Sequence, residues 1–305
     1  MKILITGGGG FLGSALLEKL SLNHQITCLD RGRRYNVLKK EINQNIKLVK
    51  GDILNKEILN KVTKDCECII HLAGGGGERN LLKNPYEALL NNVYAIKLLI
   101  KYAKKNNVKK IIFSSSYMTY ITNPKKIKGV SSTFYGLIKR ICEDEIRKSG
   151  IPYIILRLST IYGPYGYKLG IQKEAVIGKF ISLGFDNSEI TLFNKGKDKQ
   201  DYLYIDDFSN AINKIVLSDI ENKTFDVGSG KSYSVKNVAG IISKVMLKKY
   251  KKKIRKKKKY SKGVKTIYLK TNINNTKKCF NWKPKTNIKR GIAKTIEVFV
   301  NERKS

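Results

Sequence analysis

Short β-branched stretches alternate with longer amphipathic stretches in the first half of the chain, and this alternation constrains the fold more than any other feature. Apolar runs typical of strands buried on both faces occur at residues 3–6, 25–29, 46–49, 68–72, 110–114 and 153–156. Helical periodicity fills residues 11–22, 56–62, 86–105 and 134–148 between them. The pattern predicts an α/β fold with a doubly wound parallel sheet, which binds ligands at the carboxyl ends of its strands.

The second half of the chain is organised more loosely. Helices are predicted at residues 206–217 and 235–246, and a late strand at 224–227. A chain of 305 residues is long enough for two domains. We expect residues 1–163, completed by about 203–227, to form the sheet domain. A smaller mixed α/β domain is expected from residues 164–202 and 228–305.

A glycine-rich turn follows the first predicted strand and precedes the first predicted helix. Two registers fit a phosphate-binding loop, one with Gly7, Gly10 and Gly13 and one with Gly8, Gly10 and Gly13. Glycine lets backbone N–H groups approach a pyrophosphate closely, and the start of a helix adds partial positive charge. The strand before it and the helix after it make this turn a candidate dinucleotide site.

Asp30 ends the second predicted strand, where it could accept hydrogen bonds from both adenosine ribose hydroxyls. A carboxylate at this position repels a 2′-phosphate, so Asp30 favours NAD over NADP. Arg31, Arg33 and Arg34 follow at once and weaken that preference.

Tyr135 and Lys139 are spaced to share one face of a helix. A phenol is a poor base at neutral pH unless a neighbouring cation stabilises the phenolate. Tyr35 and Lys39 have the same spacing, but they lie just past Asp30 and read as a surface pair. Tyr135 opens the helix after the fifth strand, whose end at Ser116 supplies a hydroxyl on the expected ligand side of the sheet. We therefore expect Tyr135, Lys139 and Ser116 to be catalytic.

The formal net charge of +37 raises the question of a nucleic-acid partner. The excess of basic residues is spread along the chain apart from one basic run at residues 248–262. Most of it is therefore interpreted as solvated lysine, and we expect no nucleic-acid partner. Five irregularly spaced cysteines indicate reduced thiols in a cytoplasmic protein. With two histidines no metal site is expected, and no apolar run reaches the roughly 18 residues of a membrane span.

In combination these motifs resemble the extended short-chain dehydrogenase/reductases, specifically the NAD-dependent nucleotide-sugar epimerase/dehydratase family. The resemblance covers nearly the whole chain and implies a Rossmann-type sheet. It is carried by the glycine loop, Asp30, Gly51-Asp52-Ile53, His71-Leu72-Ala73-Gly74, Asn92, Phe113-Ser114-Ser115-Ser116, the Tyr135–Lys139 pair, Arg157 to Pro164, Asp201 to Asp207 and Asn281-Trp282-Lys283-Pro284.

The resemblance implies roles for individual residues. Tyr135 would take a proton from a sugar hydroxyl while hydride passes to the nicotinamide, Ser116 would orient the hydroxyl, and Lys139 would hold the ribose. Expected cofactor-binding residues are Gly7, Gly10, Phe11, Leu12, Gly13, Asp30, Arg31, Asp52, Ile53, Leu72, Ala73, Gly74, Asn92, Ser114, Tyr135 and Lys139. Expected substrate-binding residues are Ser116, Met118, Tyr135, Thr160 and Gln200.

Departures from the family pattern lie on the substrate side. The acid-containing triplet that 4,6-dehydratases carry near the catalytic hydroxyl is absent, since Ser114-Ser115-Ser116 leads to Tyr117-Met118, and this argues against dehydration. Gln200 stands where many members have an arginine that binds the diphosphate, and Thr160 replaces a common asparagine. Lysines between residues 256 and 265 could replace that arginine.

Three functions stay open at the level of sequence. The first is an NAD-dependent epimerase of a nucleotide-diphosphate sugar, the second an NADPH-dependent 4-ketoreductase of a nucleotide deoxy sugar, and the third an RNA-binding protein on this scaffold. The intact Ser116, Tyr135 and Lys139 favour the enzymes. Family analogy and apolar periodicity also predict a homodimer in which residues 86–105 and 134–148 pack against their mates.

Overall fold

Seven parallel strands form the central sheet of the computed structural model, which describes residues 1–32, 34–74, 83–121, 130–259 and 267–304. Its strands are β1 (Lys2–Thr6), β2 (Gln25–Asp30), β3 (Ile46–Lys50), β4 (Cys68–His71), β5 (Lys110–Ser116), β6 (Tyr153–Leu158) and β10 (Lys223–Val227). Their order across the sheet is β10-β6-β5-β4-β1-β2-β3. The predicted doubly wound parallel sheet is therefore confirmed.

Helices cover both faces of this sheet because its strands are apolar on both faces. On β1, Ile3 and Ile5 pack into one core while Leu4 between them packs into the other. The helices are Phe11–Leu20, Tyr35–Glu41, Lys56–Thr63, Pro85–Leu89, Ala95–Lys105, Val130–Arg147, Val176–Phe185, Ile205–Val216, Val235–Tyr250, Asn274–Phe280 and Ile288–Glu302. None of the helices in the described ranges is long and apolar enough to cross a membrane.

Two small sheets adjoin the central one. Strands β7 (Thr160–Tyr162), β9 (Lys199–Tyr204) and β11 (Ser232–Ser234) form the first, in which β9 is central. Strands β8 (Ile190–Phe193) and β12 (Lys256–Lys259) pair in parallel to form the second. Only Ser159 separates β6 from β7, so the first of these small sheets begins at the carboxyl end of a central strand.

Several boundaries differ from those predicted from the sequence. The predicted helix at 86–105 is interrupted by a π-helix, Leu90–Tyr94, which buries both Asn91 and Asn92. Such an insertion leaves the apolar periodicity on either side intact, so periodicity does not reveal it. The predicted helix at 134–148 begins earlier, at Val130. The basic run at 248–262 covers the end of helix Val235–Tyr250, a connecting segment at 251–255 and strand β12, and residues 260–262 lie outside the described residues.

Candidate active site

The glycine loop adopts the shape expected of a phosphate cradle. Gly7 has a φ of +73°, and its carbonyl oxygen accepts a hydrogen bond from the Gly10 N–H at 3.0 Å. A Cβ on Gly13 would lie 2.3 Å from that same oxygen, so the helix Phe11–Leu20 can approach the turn only with glycine there. Gly7, Gly10 and Gly13 line the adjoining cavity, which selects this register over the one beginning at Gly8. The cradle fits the pyrophosphate of a dinucleotide.

A cavity of about 320 Å³ opens at the carboxyl ends of the central strands. It brings together residues that are far apart in the sequence and that were predicted separately. These are Gly7, Gly10, Phe11, Leu12, Gly13, Leu72, Gly74, Asn92, Ser114, Ser116, Tyr135 and Lys139. Five further residues line it without having been predicted, namely Ser115, Leu158, Ser159, Ile161 and Gln172. Ser115, Leu158, Ser159 and Ile161 lie in or between β5, β6 and β7, and Gln172 lies in the segment after β7.

Tyr135 is placed by a close approach between the helix Val130–Arg147 and the end of β5. A Cβ on Gly136 would lie 2.4 Å from the carbonyl oxygen of Met118, so the glycine allows this helix to touch the short 3₁₀ turn after β5. The N–H of Met118 donates to Ser116 Oγ at 3.2 Å. Tyr135 and Ser116 therefore face the same cavity from neighbouring elements.

Lys139 is buried, and its ammonium group hydrogen-bonds to a main-chain carbonyl oxygen. Its Nζ donates to the Ser114 carbonyl oxygen at 3.0 Å and lies 5.9 Å from the centre of the Tyr135 ring. A Cβ on Gly74 would come within 3.9 Å of the same Nζ and 2.9 Å of Asn92 Oδ1. The amide nitrogen of Asn92 donates to the Ala88 carbonyl oxygen at 2.9 Å, which directs the Asn92 oxygen into the site.

His71 lies behind this group at the end of β4. Its Nδ1 is 2.7 Å from Thr6 Oγ1, and its ring stacks on Phe113 at a centroid distance of 5.7 Å. Burial, assisted by the positive charge of Lys139, lowers the pKa of His71 to about 3. His71 is therefore neutral at physiological pH. Among the described residues, the cation in contact with the Tyr135 ring is Lys139.

The predicted adenosine end of the site lies past Asp30. The Asp30 carboxylate accepts the Gly9 N–H at 3.0 Å and the Gly32 N–H at 2.9 Å. Arg31 pairs with Asp52, with 3.2 Å between Nε and Oδ2, and also donates to Asn91 Oδ1. Ile53 is buried beside Asp52 and Ala73 is half-buried. Arg33 lies outside the described residues.

The residues predicted on the substrate side form a chain of hydroxyl and amide contacts. Thr160 Oγ1 donates to Gln200 Oε1 at 3.2 Å and lies 3.5 Å from the Tyr117 hydroxyl. This contact is possible because β7 and β9 run side by side. Met118, Thr160 and Gln200 do not line the cavity, but they adjoin its residues Ser116, Ser159 and Ile161 in sequence or across the sheet.

Comparison with known proteins assigns the chain to a family. The model of the NAD dependent epimerase/dehydratase family matches residues 3–228. The chain belongs to this family.

Individual known proteins resemble the chain over nearly its full length. A protein of Methanocaldococcus jannaschii described as a putative UDP-glucose 4-epimerase is 30% identical over 322 residues, covering 99% of this chain and 100% of the relative. The crystal structure of a UDP-glucose 4-epimerase with UDP-glucose from Thermotoga maritima has a TM-score of 0.82 at 25% identity, with 99% of both chains covered. A UDP-glucuronic acid 4-epimerase from Bacillus cereus, solved with UDP-glucuronic acid and NAD, has a TM-score of 0.84 at 23% identity, covers 99% of both chains, and shares the fold.

One buried ion cluster of this family member was not predicted. Glu143 is fully buried on the helix Val130–Arg147, four residues after Lys139. Its carboxylate accepts a hydrogen bond from Ser115 Oγ at 2.5 Å, two from Arg157 at 3.0 and 2.7 Å, and one from Arg147 at 2.8 Å. Ser115 lies between Ser114 and Ser116, so the cluster fixes the end of β5 against the helix. The sequence signal for Glu143 is its position four residues after Lys139, which places both side chains on the same face of the helix.

Arg157 extends the cluster toward the 3₁₀ turn. Its guanidinium carbon lies 4.5 Å from the centre of the Tyr120 ring, and the Tyr120 hydroxyl donates to Asp226 at 2.9 Å. Burial raises the pKa of both Tyr120 and Asp226 from their ordinary values. The turn that carries Met118 is thus tied to β6 and β10 as well as to β5.

Proposed function

We propose that the protein is an NAD-dependent epimerase of a nucleotide-activated sugar that works through a transient keto intermediate. The observation that carries this proposal is the convergence of Ser116, Tyr135 and Lys139 on one cavity with the glycine loop. NAD, when bound, supplies an acceptor and later a donor of hydride. Membership of the NAD dependent epimerase/dehydratase family supports the choice of cofactor.

The protein's own residues then have distinct tasks. Backbone N–H groups at the start of the helix Phe11–Leu20 would bind the pyrophosphate. Lys139, whose Nζ donates to the Ser114 carbonyl oxygen, would hold the nicotinamide ribose and places a positive charge near the Tyr135 ring. Tyr135 takes the proton from the sugar hydroxyl, and Ser116 orients that hydroxyl. In this proposal the predicted cofactor-binding and substrate-binding residues keep their assigned roles.

The geometry around Asp30 favours NAD over NADP. Asp30 places a carboxylate at the end of β2, and the hydrogen bonds that it accepts from Gly9 and Gly32 hold it in place. Arg31 pairs through Nε with Asp52 and donates through Nη2 to Asn91, which leaves it fewer donors for a 2′-phosphate.

Nucleotide-diphosphate sugars are the proposed substrates. The Thermotoga maritima epimerase was solved with UDP-glucose and the Bacillus cereus epimerase with UDP-glucuronic acid. Residues 164–202 and 228–305 are proposed to bind the substrate, and the sheet domain is proposed to bind the cofactor. Thr160 and Gln200, which hydrogen-bond to each other, lie at the boundary between these two parts.

The reaction is tested with a panel of UDP-, GDP- and dTDP-sugars. We expect at least one to be converted into its epimer without net consumption of NAD, because the hydride taken from the sugar returns to its other face. The products are separated by ion-exchange chromatography and identified by proton NMR. Stoichiometric oxidation of NADPH with a keto sugar would contradict the proposal and favour the ketoreductase. Salt-dependent RNA binding without conversion of any sugar would favour the RNA-binding alternative.

We also propose a homodimer formed by the helices around the two segments predicted from the sequence. Tyr86 is 72% exposed, Tyr94 43% and Leu137 52%, so apolar side chains are left uncovered on neighbouring helices. Replacing Leu137 with Glu should give a monomer by light scattering, because a charge would be buried in the interface. Leu217, which is 63% exposed on another helix end, supplies the control Leu217→Glu, which should stay dimeric. A monomeric wild type would refute the homodimer.

A further inference from the structure

The segment after β7 is docked tightly on the helix that follows the glycine loop. The Gly166 N–H donates to Ser14 Oγ at 3.0 Å, and a Cβ on Gly166 would lie 2.1 Å from the Ser14 carbonyl oxygen. The Tyr167 N–H donates to Glu18 Oε2 at 2.8 Å. These contacts fix the main chain beside Tyr165, so the position of the Tyr165 ring is set by the helix Phe11–Leu20.

Tyr165 lies between the glycine loop and the segment after β2. Its ring meets Phe11 edge to face at a centroid distance of 5.4 Å, and Phe11 lines the candidate cofactor cavity. The same ring also contacts Arg34, whose guanidinium carbon lies 3.6 Å from the ring centre. Arg34 Nη1 also donates to the Gly9 carbonyl oxygen at 3.4 Å.

Gly9 is thereby held at both of its backbone polar groups. Asp30 accepts its N–H at 3.0 Å, and Arg34 donates to its carbonyl oxygen. The Arg34 main chain is fixed in turn, because its carbonyl oxygen accepts the Leu38 N–H at 2.9 Å at the start of the helix Tyr35–Glu41. The glycine loop, the segment after β2 and the segment after β7, which are distant in sequence, therefore meet at this point.

We propose that Arg34 and Tyr165 form a clasp that holds the glycine loop in its binding shape and slows release of the bound dinucleotide. A loop that is ordered before binding loses less freedom when the ligand binds, so breaking the clasp weakens retention. The proposal rests on the proposed function in one respect, which is that the ligand of the glycine loop is NAD. An enzyme that regenerates its cofactor in every cycle benefits from slow release.

The clasp is tested by the rate at which NAD leaves the protein. Wild type and the variants Arg34→Ala and Tyr165→Ala are loaded with radiolabelled NAD, and exchange against excess unlabelled NAD is followed by filtration. We expect release about tenfold faster in each variant, since a cation–π contact at this distance is worth about one tenfold step. The double variant should release NAD more slowly than the product of the two single effects predicts, because both single variants already lack the contact between Arg34 and Tyr165.

Three further variants keep the test specific. Tyr165→Phe retains the ring and should retain slow release, and Arg34→Lys should lie between wild type and Arg34→Ala. Arg290→Ala removes an equal charge at an exposed position on another helix and should release NAD at the wild-type rate. Circular dichroism spectra of the variants without NAD should match the spectrum of wild type, which shows that each variant is folded.

The outcomes separate the clasp from the proposed function. Release from Arg34→Ala and Tyr165→Ala within twofold of the wild-type rate would overturn the clasp while leaving the proposed function standing. A change confined to NADP would also overturn it and would assign Arg34 to the 2′-phosphate. A wild type that binds no NAD would refute the proposed cofactor, and failure of the sugar panel with normal NAD release would refute only the epimerase.

Discussion

Replacing Tyr135 with phenylalanine is expected to lower the turnover of the converted sugar by about 10²- to 10⁴-fold, the usual contribution of a general base. The substitution removes only the hydroxyl that would receive the substrate proton. The ring remains against Lys139 Nζ, and the close contact of Gly136 with Met118 is unchanged. NAD binding and thermal stability should therefore stay near those of wild type, and the loss should appear in kcat.

The chain supplies a matched control for this substitution. Tyr35 and Lys39 have the same spacing as Tyr135 and Lys139, but Tyr35 begins the helix Tyr35–Glu41 beyond β2 and does not line the cavity. Tyr35→Phe should keep wild-type turnover, measured by chromatography of the sugar products. Turnover of Tyr135→Phe equal to that of Tyr35→Phe would refute the proposed role of Tyr135.

The sheet was predictable because its signal is local and repeated. Strand β1 contains the apolar run Ile3–Ile5, and β6 contains Tyr153–Leu156. The helices between the strands have a clear period of 3.6 residues, so the alternation predicts a parallel sheet. Elements of the second half were harder to predict, since β7 and β11 have only three residues each. Strand β12 is four consecutive lysines paired with β8, and nothing in such a sequence indicates a strand.

The residues of the candidate site that could be predicted are those whose signal lies in a short stretch of sequence. The glycines lie in a strand-to-helix turn, and the tyrosine and lysine have helical spacing after a strand. Gln172 and Ser159 reach the cavity only through the order of the strands and the docking of the segment after β7. Glu143 was missed because a glutamate in a helix is ordinarily exposed, and its burial depends on Arg157 from another strand.

Replacing Glu143 with alanine is expected to lower the free energy of unfolding by about 3–5 kcal/mol, the cost of breaking a buried ion pair by removing one partner. The Arg157 side chain is only 19% exposed and would lose both of its bonds to the carboxylate. Ser115 Oγ would lose its acceptor at the end of β5. Urea denaturation followed by circular dichroism measures the change.

A neighbouring carboxylate gives the control. Asp144 pairs with the same Arg147 that contacts Glu143, but its side chain is 61% exposed, so Asp144→Ala should cost about 1 kcal/mol or less. Equal destabilisation by the two alanine variants would contradict a special role for the buried cluster.

The pH dependence of stability provides an independent measure of the same carboxylate. Burial alone would raise the pKa of Glu143, but hydrogen bonds from Arg157, Ser115 and Arg147 outweigh it, and the net pKa lies below its ordinary value of 4.5. A folded-state pKa that is depressed contributes stability above the unfolded-state pKa and loses it as the pH falls through the folded-state pKa. The difference in stability between wild type and Glu143→Gln should therefore be constant from pH 7 to about pH 5 and shrink below pH 4.5. A difference that stayed the same down to pH 3 would show that the charge of Glu143 does not stabilise the fold.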